Sequence, residues 1–138
     1  MYKSMIIMAA MVVSMAACNS SKNTGPVSYG DNMLIERDGD EEYEITIIDP
    51  GFDSWFATYA KPANYYSLSY YEQKNAQYVS LWNERVGQQS YYRSANYPFE
   101  NRIDYDPAKD YGLEVNYKLY YYFRYIQSIY GTRYHFYM

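Results

Sequence analysis

Two pairs of closely spaced aspartates are the side chains of this sequence that could do acid–base chemistry. Asp49 and Asp53 flank a Pro-Gly turn, and Asp104 and Asp106 lie in the segment DYDPAKDYG. Paired carboxylates can act as general acid and general base when a pocket separates their pKa values. Structural roles also explain the first pair, because aspartate before proline forms turns and aspartate in a first helical turn complements the helix dipole.

Aspartates at i and i+2 in residues 38–44 and 104–112 are also typical of calcium-binding loops. A calcium-binding loop needs glycine at its sixth position for a sharp turn, and neither segment has it. In the second segment Lys109 occupies the sixth position, and Pro107 stiffens the loop. Zinc needs more donors than one histidine, His135, and one cysteine. We therefore expect no metal, no cofactor and no catalytic role for this histidine.

The single cysteine, Cys18, follows a lysine-bearing N-terminus and an uncharged run from residue 5 to 17. That run suits the hydrophobic region of a secretory signal peptide and is too short to cross a bilayer comfortably. The sequence MAAC resembles the lipobox of bacterial lipoproteins, in which the thiol is alkylated with diacylglycerol and the peptide is cut before the cysteine. Met15 stands where those proteins more often have leucine.

The lipobox resemblance implies that residues 1–17 are a removed signal peptide and that Cys18 carries lipid. Several acyl chains give stable membrane anchoring, and no disulfide can form within the mature chain. The alternatives are a plain secretory peptide that leaves an unused cysteine, and a hydrophobic N-terminus that stays attached.

The charge balance excludes nucleic acid as an expected partner. Without residues 1–17 the chain has 11 lysines and arginines against 16 aspartates and glutamates, a net charge of −5. No stretch concentrates the basic residues, so the electrostatic footprint of a nucleic-acid-binding protein is missing.

One small domain is expected to position the aspartates and the other candidate residues. Residues 18–32 are polar and contain glycine and proline, which is typical of a flexible tether, so the globular domain is predicted over 33–138. A turn at Asp38-Gly39 precedes a predicted strand over 43–48, whose apolar side chains alternate to one side. The apolar positions of this strand are Tyr43, Ile45 and Ile47.

Apolar residues at helical spacing predict a first helix that begins after Pro50-Gly51 and ends before Pro62. A second helix is predicted from Ser69, whose spacing to Glu72 matches a capping box, to Gly87. The apolar positions of the two helices are Phe52, Trp55, Phe56 and Tyr59, and then Tyr71, Asn75, Tyr78, Val79, Trp82 and Val86.

The third predicted helix runs from Asp110 as N-cap to Gly131 as its stop. Between the second and third helices, residues 88–109 have no regular period. The tail TRYHFYM alternates and is predicted as a strand that pairs with residues 43–48. The fold class is therefore α+β: a small, helix-dominated domain of about three helices with a short strand pair. The apolar stripe of the third helix is Val115, Leu119, Tyr122, Phe123, Ile126 and Tyr130.

Tyrosine dominates the composition. From residue 18 onwards there are 21 tyrosines, as many as isoleucine, leucine, valine and phenylalanine together. Those four residues alone would place the chain near the disordered class, so tyrosine must supply core. We expect rings that face inward, with hydroxyls at the domain edge or on polar side chains. Because consecutive helical residues point in different directions, some of Tyr120, Tyr121, Tyr122 and Tyr125 are expected to be exposed.

The segment from EYEITIIDPGFDSWF through YVSLWNERV to DYDPAKDYG and the third helix resembles a family of short Bacteroidota-type, tyrosine-rich lipoproteins with a domain of unknown function. The similarity covers residues 43–131. It implies an envelope address and supplies no catalytic residue. Surface-exported lipoproteins of such bacteria often carry an acidic run after the lipidated cysteine. No acidic run follows Cys18, so the resemblance implies the periplasmic face of the outer membrane as the location.

The sequence thus predicts a lipid-anchored cell-envelope protein that binds or scaffolds another envelope component, a protein or a glycan. The candidate binding residues are Tyr66, Tyr92, Tyr121 and Lys61, and the candidate lipidation site is Cys18. The alternative is a small periplasmic hydrolase that uses paired carboxylates.

Overall fold

An antiparallel strand pair begins the domain. The computed structural model describes residues 27–28, 33–38, 42–92 and 96–137. Strand β2 (Met33–Asp38) pairs with β3 (Glu42–Ile47), from Met33 opposite Ile47 to Asp38 opposite Glu42. A two-residue strand, β1 (Val27–Ser28), pairs with β2 on its other side, which gives the order β1-β2-β3.

The alternation predicted for β3 is confirmed. Tyr43, Ile45 and Ile47 pack against the core, whereas Glu44 and Thr46 are exposed. The partner of β3 is β2, which the sequence pattern did not indicate as a strand. The pairing buries the side chains of both strands on the face that the helices cover.

The N-terminal predictions concern residues that are mostly not described. The predicted signal peptide (1–17), Cys18 and the glycine of the predicted turn at residue 39 lie outside the described residues. Val27 and Ser28 belong to the segment predicted as a tether, and their pairing with β2 was not indicated by the sequence.

Four α-helices and one 3-10 helix follow the strands. The helices in the described residues are α1 (Phe52–Tyr59), the 3-10 helix (Ala63–Tyr65), α2 (Leu68–Val86), α3 (Gln89–Tyr92) and α4 (Gly112–Tyr134). The described part of the chain contains no helix with both the length and the apolar character needed to span a membrane. The helix-dominated α+β class is confirmed, with α3 as a short addition inside the segment predicted to be irregular.

The second helix starts two residues earlier than predicted. Ser67 has extended backbone angles, and its hydroxyl accepts a hydrogen bond from the amide of Tyr70 at 3.2 Å. Ser67 is therefore the N-cap, and the capping box predicted at Ser69 is wrong. The predicted buried stripe from Tyr71 to Trp82 is confirmed, and Val86 is partly buried.

Both predicted ends of the long helix are shifted. The N-cap position is occupied by Tyr111, while the Asp110 carboxylate accepts from the amide of Gly112 at 3.0 Å. Gly131 does not stop the helix. It is buried within α4, where a β-carbon would approach the ring of Tyr137 to 3.0 Å. The helix ends at His135, which adopts the left-handed conformation (φ 51°).

The strand predicted for the tail is wrong. Thr132–Tyr134 form the last turn of α4, and the side chain of Arg85 donates to the carbonyl oxygens of Tyr134 (3.0 Å) and His135 (3.2 Å). These bonds satisfy carbonyl groups that the end of a helix leaves free. Phe136 then turns back into the core, where it is completely buried.

The middle of helix α4 is buried on nearly all sides, which contradicts the expected exposure of its tyrosines. Tyr120, Tyr121, Tyr122 and Tyr125 are each no more than 6 % exposed. They can all be buried because α4 contacts α1, α2, β3 and the 3-10 helix. Between residues 119 and 126 only Arg124 is exposed, so the buried surface of these turns surrounds most of the helix instead of forming a stripe.

Candidate binding surface

Of the four aspartates that could have formed an acid–base pair, Asp49 and Asp106 have structural hydrogen bonds. One carboxylate oxygen of Asp49 accepts from the amide of Gly51 (2.9 Å) and from the Tyr125 hydroxyl (2.8 Å). Asp53 is exposed in the first turn of α1, and Asp106 accepts from the amide of Ala108 (2.9 Å). The contacts of Asp49 join the turn before α1 to the centre of α4.

The aspartates of the second calcium-like segment, Asp104, Asp106 and Asp110, are exposed, and so is the histidine. Across residues 27–28, 33–38, 42–92 and 96–137 no group of three histidine, cysteine, aspartate or glutamate side chains is placed to hold a metal ion. His135 is exposed at the end of α4.

Three of the four predicted binding residues lie close together. The Lys61 amide donates to the Tyr121 hydroxyl (2.9 Å), and the Lys61 carbonyl accepts from Tyr117 (2.7 Å). Tyr66 follows the 3-10 helix and packs on Tyr120, the neighbour of Tyr121. Tyr121 itself is only 5 % exposed, so its ring is part of the core and its predicted exposure is wrong. Lys61 is exposed, and Tyr66 is half-buried.

Tyr92 belongs to a different part of the molecule. It is half-buried and packs on Tyr97 and Tyr134, with ring centroids 5.4 Å and 5.2 Å away. These contacts attach α3 to the C-terminal end of α4. The four predicted residues therefore do not form a single surface.

A cluster of tyrosine rings lies beside an arginine, Arg124, that the sequence patterns did not indicate. The rings of Tyr66 and Tyr70 stack at 4.2 Å, and both lie edge-on to Tyr120. Tyr78 lies 6.3 Å from Tyr120. These four tyrosines and Arg124 are called the Arg124 cluster.

Helix geometry explains why these residues meet. Tyr120 and Arg124 are one turn apart on α4, and Tyr70 and Tyr78 are two turns apart on α2, so each pair lies on one side of its helix. Both helices contribute to one polar contact: the amide oxygen of Gln127 accepts from Arg124 Nη1 (3.2 Å) and from the Tyr78 hydroxyl (3.3 Å).

The cluster opens to solvent on one side. Tyr78 and Tyr120 are buried, Tyr66 and Tyr70 are half-buried, and Arg124 is exposed. Tyr65 extends the aromatic surface, because its ring lies edge-on to Tyr66 at 4.7 Å and is 59 % exposed. The outer surface therefore combines a guanidinium group, phenol hydroxyls and an exposed ring.

The hydroxyls of Tyr66, Tyr78 and Tyr120 hold their protons more strongly than a free tyrosine does. Burial raises the pKa of Tyr66 and Tyr78, and burial together with the interaction with Tyr70 raises the pKa of Tyr120. Burial alone would lower the pKa of Arg124, but the Tyr78 hydroxyl and the oxygens of Tyr120 and Tyr66 raise it. The site thus holds a permanent positive charge beside neutral hydrogen-bonding groups.

A second concave surface has the opposite charge. A cleft of about 420 Å³ lies where β3 meets the start of α4. Glu114 in this cleft pairs with Lys118 at 2.9 Å, and Arg37 lies over the ring of Tyr43. Charge alone does not specify a ligand, so we assign none to this cleft. Its lining residues are Glu42, Tyr43, Asp110, Tyr111, Gly112, Leu113 and Glu114.

The fold is that of a small, helix-dominated α+β domain whose core is built largely from tyrosine, and the Arg124 cluster lies on its surface. The chain belongs to the family described as "Family of unknown function (DUF6146)", whose model matches residues 5–136. The resemblance to a domain of unknown function is therefore confirmed. In the same comparisons, no curated protein and no solved structure matches the chain.

Proposed function

We propose that this chain is a lipid-anchored cell-envelope protein that binds an envelope glycan through the Arg124 cluster and Tyr65. The observation that carries the proposal is the joint presentation of an exposed guanidinium, phenol hydroxyls and an exposed tyrosine ring on one surface. A glycan fits such a surface, because sugar hydroxyls match hydrogen-bonding groups while the faces of sugar rings pack on aromatic rings.

The anchoring part of the proposal rests on the sequence MAAC after an uncharged hydrophobic run. Lipid on Cys18 would hold the domain beside the membrane, with the residues before β2 as the connection. The periplasmic face of the outer membrane is the proposed location, because no acidic run follows the cysteine.

A binding role suits the Arg124 cluster because its rings are fixed before any ligand arrives. Tyr66 stacks on Tyr70, and both pack on the buried ring of Tyr120. Tyrosine offers a large contact area and loses little conformational entropy on binding, which makes it frequent among the residues that dominate binding energy. A ring that is already held by its neighbours loses still less.

Glycan binding can be tested by co-sedimentation of the full-length protein, in detergent, with purified insoluble cell-wall sacculi. Tyr65→Ala is expected to weaken the binding about tenfold, which corresponds to about 1.4 kcal/mol for loss of one contact ring. Tyr91→Ala is the matched control, since Tyr91 is 83 % exposed but lies in α3. Binding that survives Tyr65→Ala, or that both variants weaken equally, contradicts the proposed surface.

Lipid anchoring has a separate test. Replacing Cys18 with serine removes the thiol that would form the thioether with diacylglycerol. The Cys18→Ser protein is expected to lose incorporation of a labelled fatty acid and to leave the detergent phase in phase partitioning. A serine variant that still incorporates the label overturns the assignment of Cys18.

A further inference from the structure

The geometry points to an oxyanion, a carboxylate or phosphate group, as the chemical group that the Arg124 cluster binds. This inference rests on the proposed function and specifies the part of the ligand that Arg124 would contact. It follows from the unused donors of the guanidinium, from the charges around it and from the neighbouring hydroxyls.

The guanidinium of Arg124 has donors to spare. An arginine side chain carries five N–H donors. Arg124 donates from Nη1 to the neutral amide oxygen of Gln127 at 3.2 Å, and the Tyr78 hydroxyl is a second hydrogen-bonding neighbour of the guanidinium, so donors remain for a ligand. The ion pairs of the described residues involve Arg85 with Glu84 and Lys118 with Glu114, not Arg124.

The neighbouring turns of α4 carry no carboxylate beside this arginine. The positions three and four residues away on α4 are Tyr120, Tyr121, Gln127 and Ser128. On α2, Lys74 lies one turn after Tyr70 and one turn before Tyr78, which places a second cation on the side of the helix that carries those tyrosines. The helix sides that carry the tyrosines of the Arg124 cluster thus carry two cations, Arg124 on α4 and Lys74 on α2, although the whole chain is acidic.

Tyrosine hydroxyls complete the donor set. The Tyr78 hydroxyl and Arg124 both donate to the amide oxygen of Gln127. The rings of Tyr66 and Tyr70 stack on each other and lie edge-on to Tyr120, one turn before Arg124. A guanidinium binds planar oxyanions through two parallel hydrogen bonds, and neutral hydroxyls can donate to the remaining oxygens. A neutral sugar would leave this charge without a partner, whereas a uronic acid or a sugar phosphate would neutralise it.

The test uses full-length protein in detergent with ¹⁵N-labelled arginine, and follows the Nε–H signal of Arg124 by NMR. The probes are glucuronate, glucose 6-phosphate, inorganic phosphate and glucose. Saturable shifts are expected with the anionic sugars, and glucose is expected to bind at least tenfold more weakly. A second measurement, the change in tyrosine fluorescence with the same probes, allows variants at position 124 to be compared.

Arg124→Gln keeps a hydrogen-bonding side chain but removes the charge, so it should weaken glucuronate binding at least tenfold. Arg124→Lys keeps the charge but lacks the paired donors. Its affinity for glucuronate should lie between those of the unchanged protein and of Arg124→Gln. Arg133→Gln is the matched control, because Arg133 is an exposed arginine on the same helix that lies over Tyr134. Unchanged folding of each variant is checked by circular dichroism.

The possible outcomes separate this inference from the proposed function. Equal binding of glucose and glucuronate, unaffected by Arg124→Gln, overturns the oxyanion and leaves glycan binding intact. Inorganic phosphate that binds as tightly as glucose 6-phosphate supports the oxyanion but contradicts a sugar ligand. Absence of any saturable shift at Arg124 overturns the inference, whether or not the protein sediments with cell-wall material.

Discussion

Replacing Asn116 with alanine is expected to lower the free energy of unfolding by about 3 kcal/mol, because it leaves buried polar groups without partners. Asn116 is completely buried. Its side-chain oxygen accepts from Asn75 (3.0 Å) and from the Tyr105 hydroxyl (2.8 Å), and its amide donates to the carbonyl of Gly112 (2.9 Å). The network joins α2, the segment before α4 and the first turn of α4.

The expected loss is large because an unpaired buried donor costs about 1–3 kcal/mol, whereas total stability is typically about 5–15 kcal/mol. Asn75 keeps one bond in the variant, to the backbone carbonyl of residue 116 at 2.9 Å, so most of the cost falls on the Tyr105 hydroxyl and the Gly112 carbonyl. Both lose the partner that the asparagine side chain provided.

Urea denaturation followed by near-UV circular dichroism measures the change. Asn64→Ala serves as the control, since Asn64 is exposed in the 3-10 helix and its replacement should alter stability by no more than about 0.5 kcal/mol. A loss below about 1 kcal/mol for Asn116→Ala would show that water replaces the network without cost.

Phe136→Ala is the second substitution with a large expected effect, a loss of about 3–5 kcal/mol as for other buried phenylalanines. The ring of Phe136 is completely buried, and its centroid lies 5.0 Å from Phe99 and 5.7 Å from Tyr78. It also contacts Trp82 and Phe123. The tail therefore closes the core between α2, α4 and the segment around residue 99.

The neighbouring Tyr137 provides the control for this prediction. It is 50 % exposed, so Tyr137→Ala should cost clearly less than Phe136→Ala in the same denaturation experiment. Equal losses, or a larger loss for Tyr137, would mean that the tail does not insert Phe136 into the core.

The candidate binding surface was only partly predictable. Tyr66 was selected from the sequence, but Arg124 was missed and Tyr121 was wrongly expected to be exposed. A signal for Arg124 does exist, because Tyr120, Arg124 and Gln127 recur at helical spacing and Tyr70, Lys74 and Tyr78 do so on the preceding helix. What the spacing cannot show is that these two helix sides face each other.

Local patterns determined the positions of the main helices and of β3. Apolar side chains at helical spacing identified α1, α2 and most of α4, and alternation identified β3. Proline and glycine marked the boundaries well where the chain had no competing contact, as at Pro62 and Gly87. These features depend on residues a few positions apart, so one sequence is enough to reveal them.

The tertiary structure alone decided the partner of β3, the end of α4 and the burial of its tyrosines. Gly131 remains helical because Tyr137 packs where a β-carbon would project, and Arg85, far away in sequence, binds the carbonyls of the last turn. Tyr120, Tyr121 and Tyr122 are buried together because four elements contact the same helix. Such contacts join residues that are distant in the sequence, and their free energy outweighs the small local preferences of helix and strand.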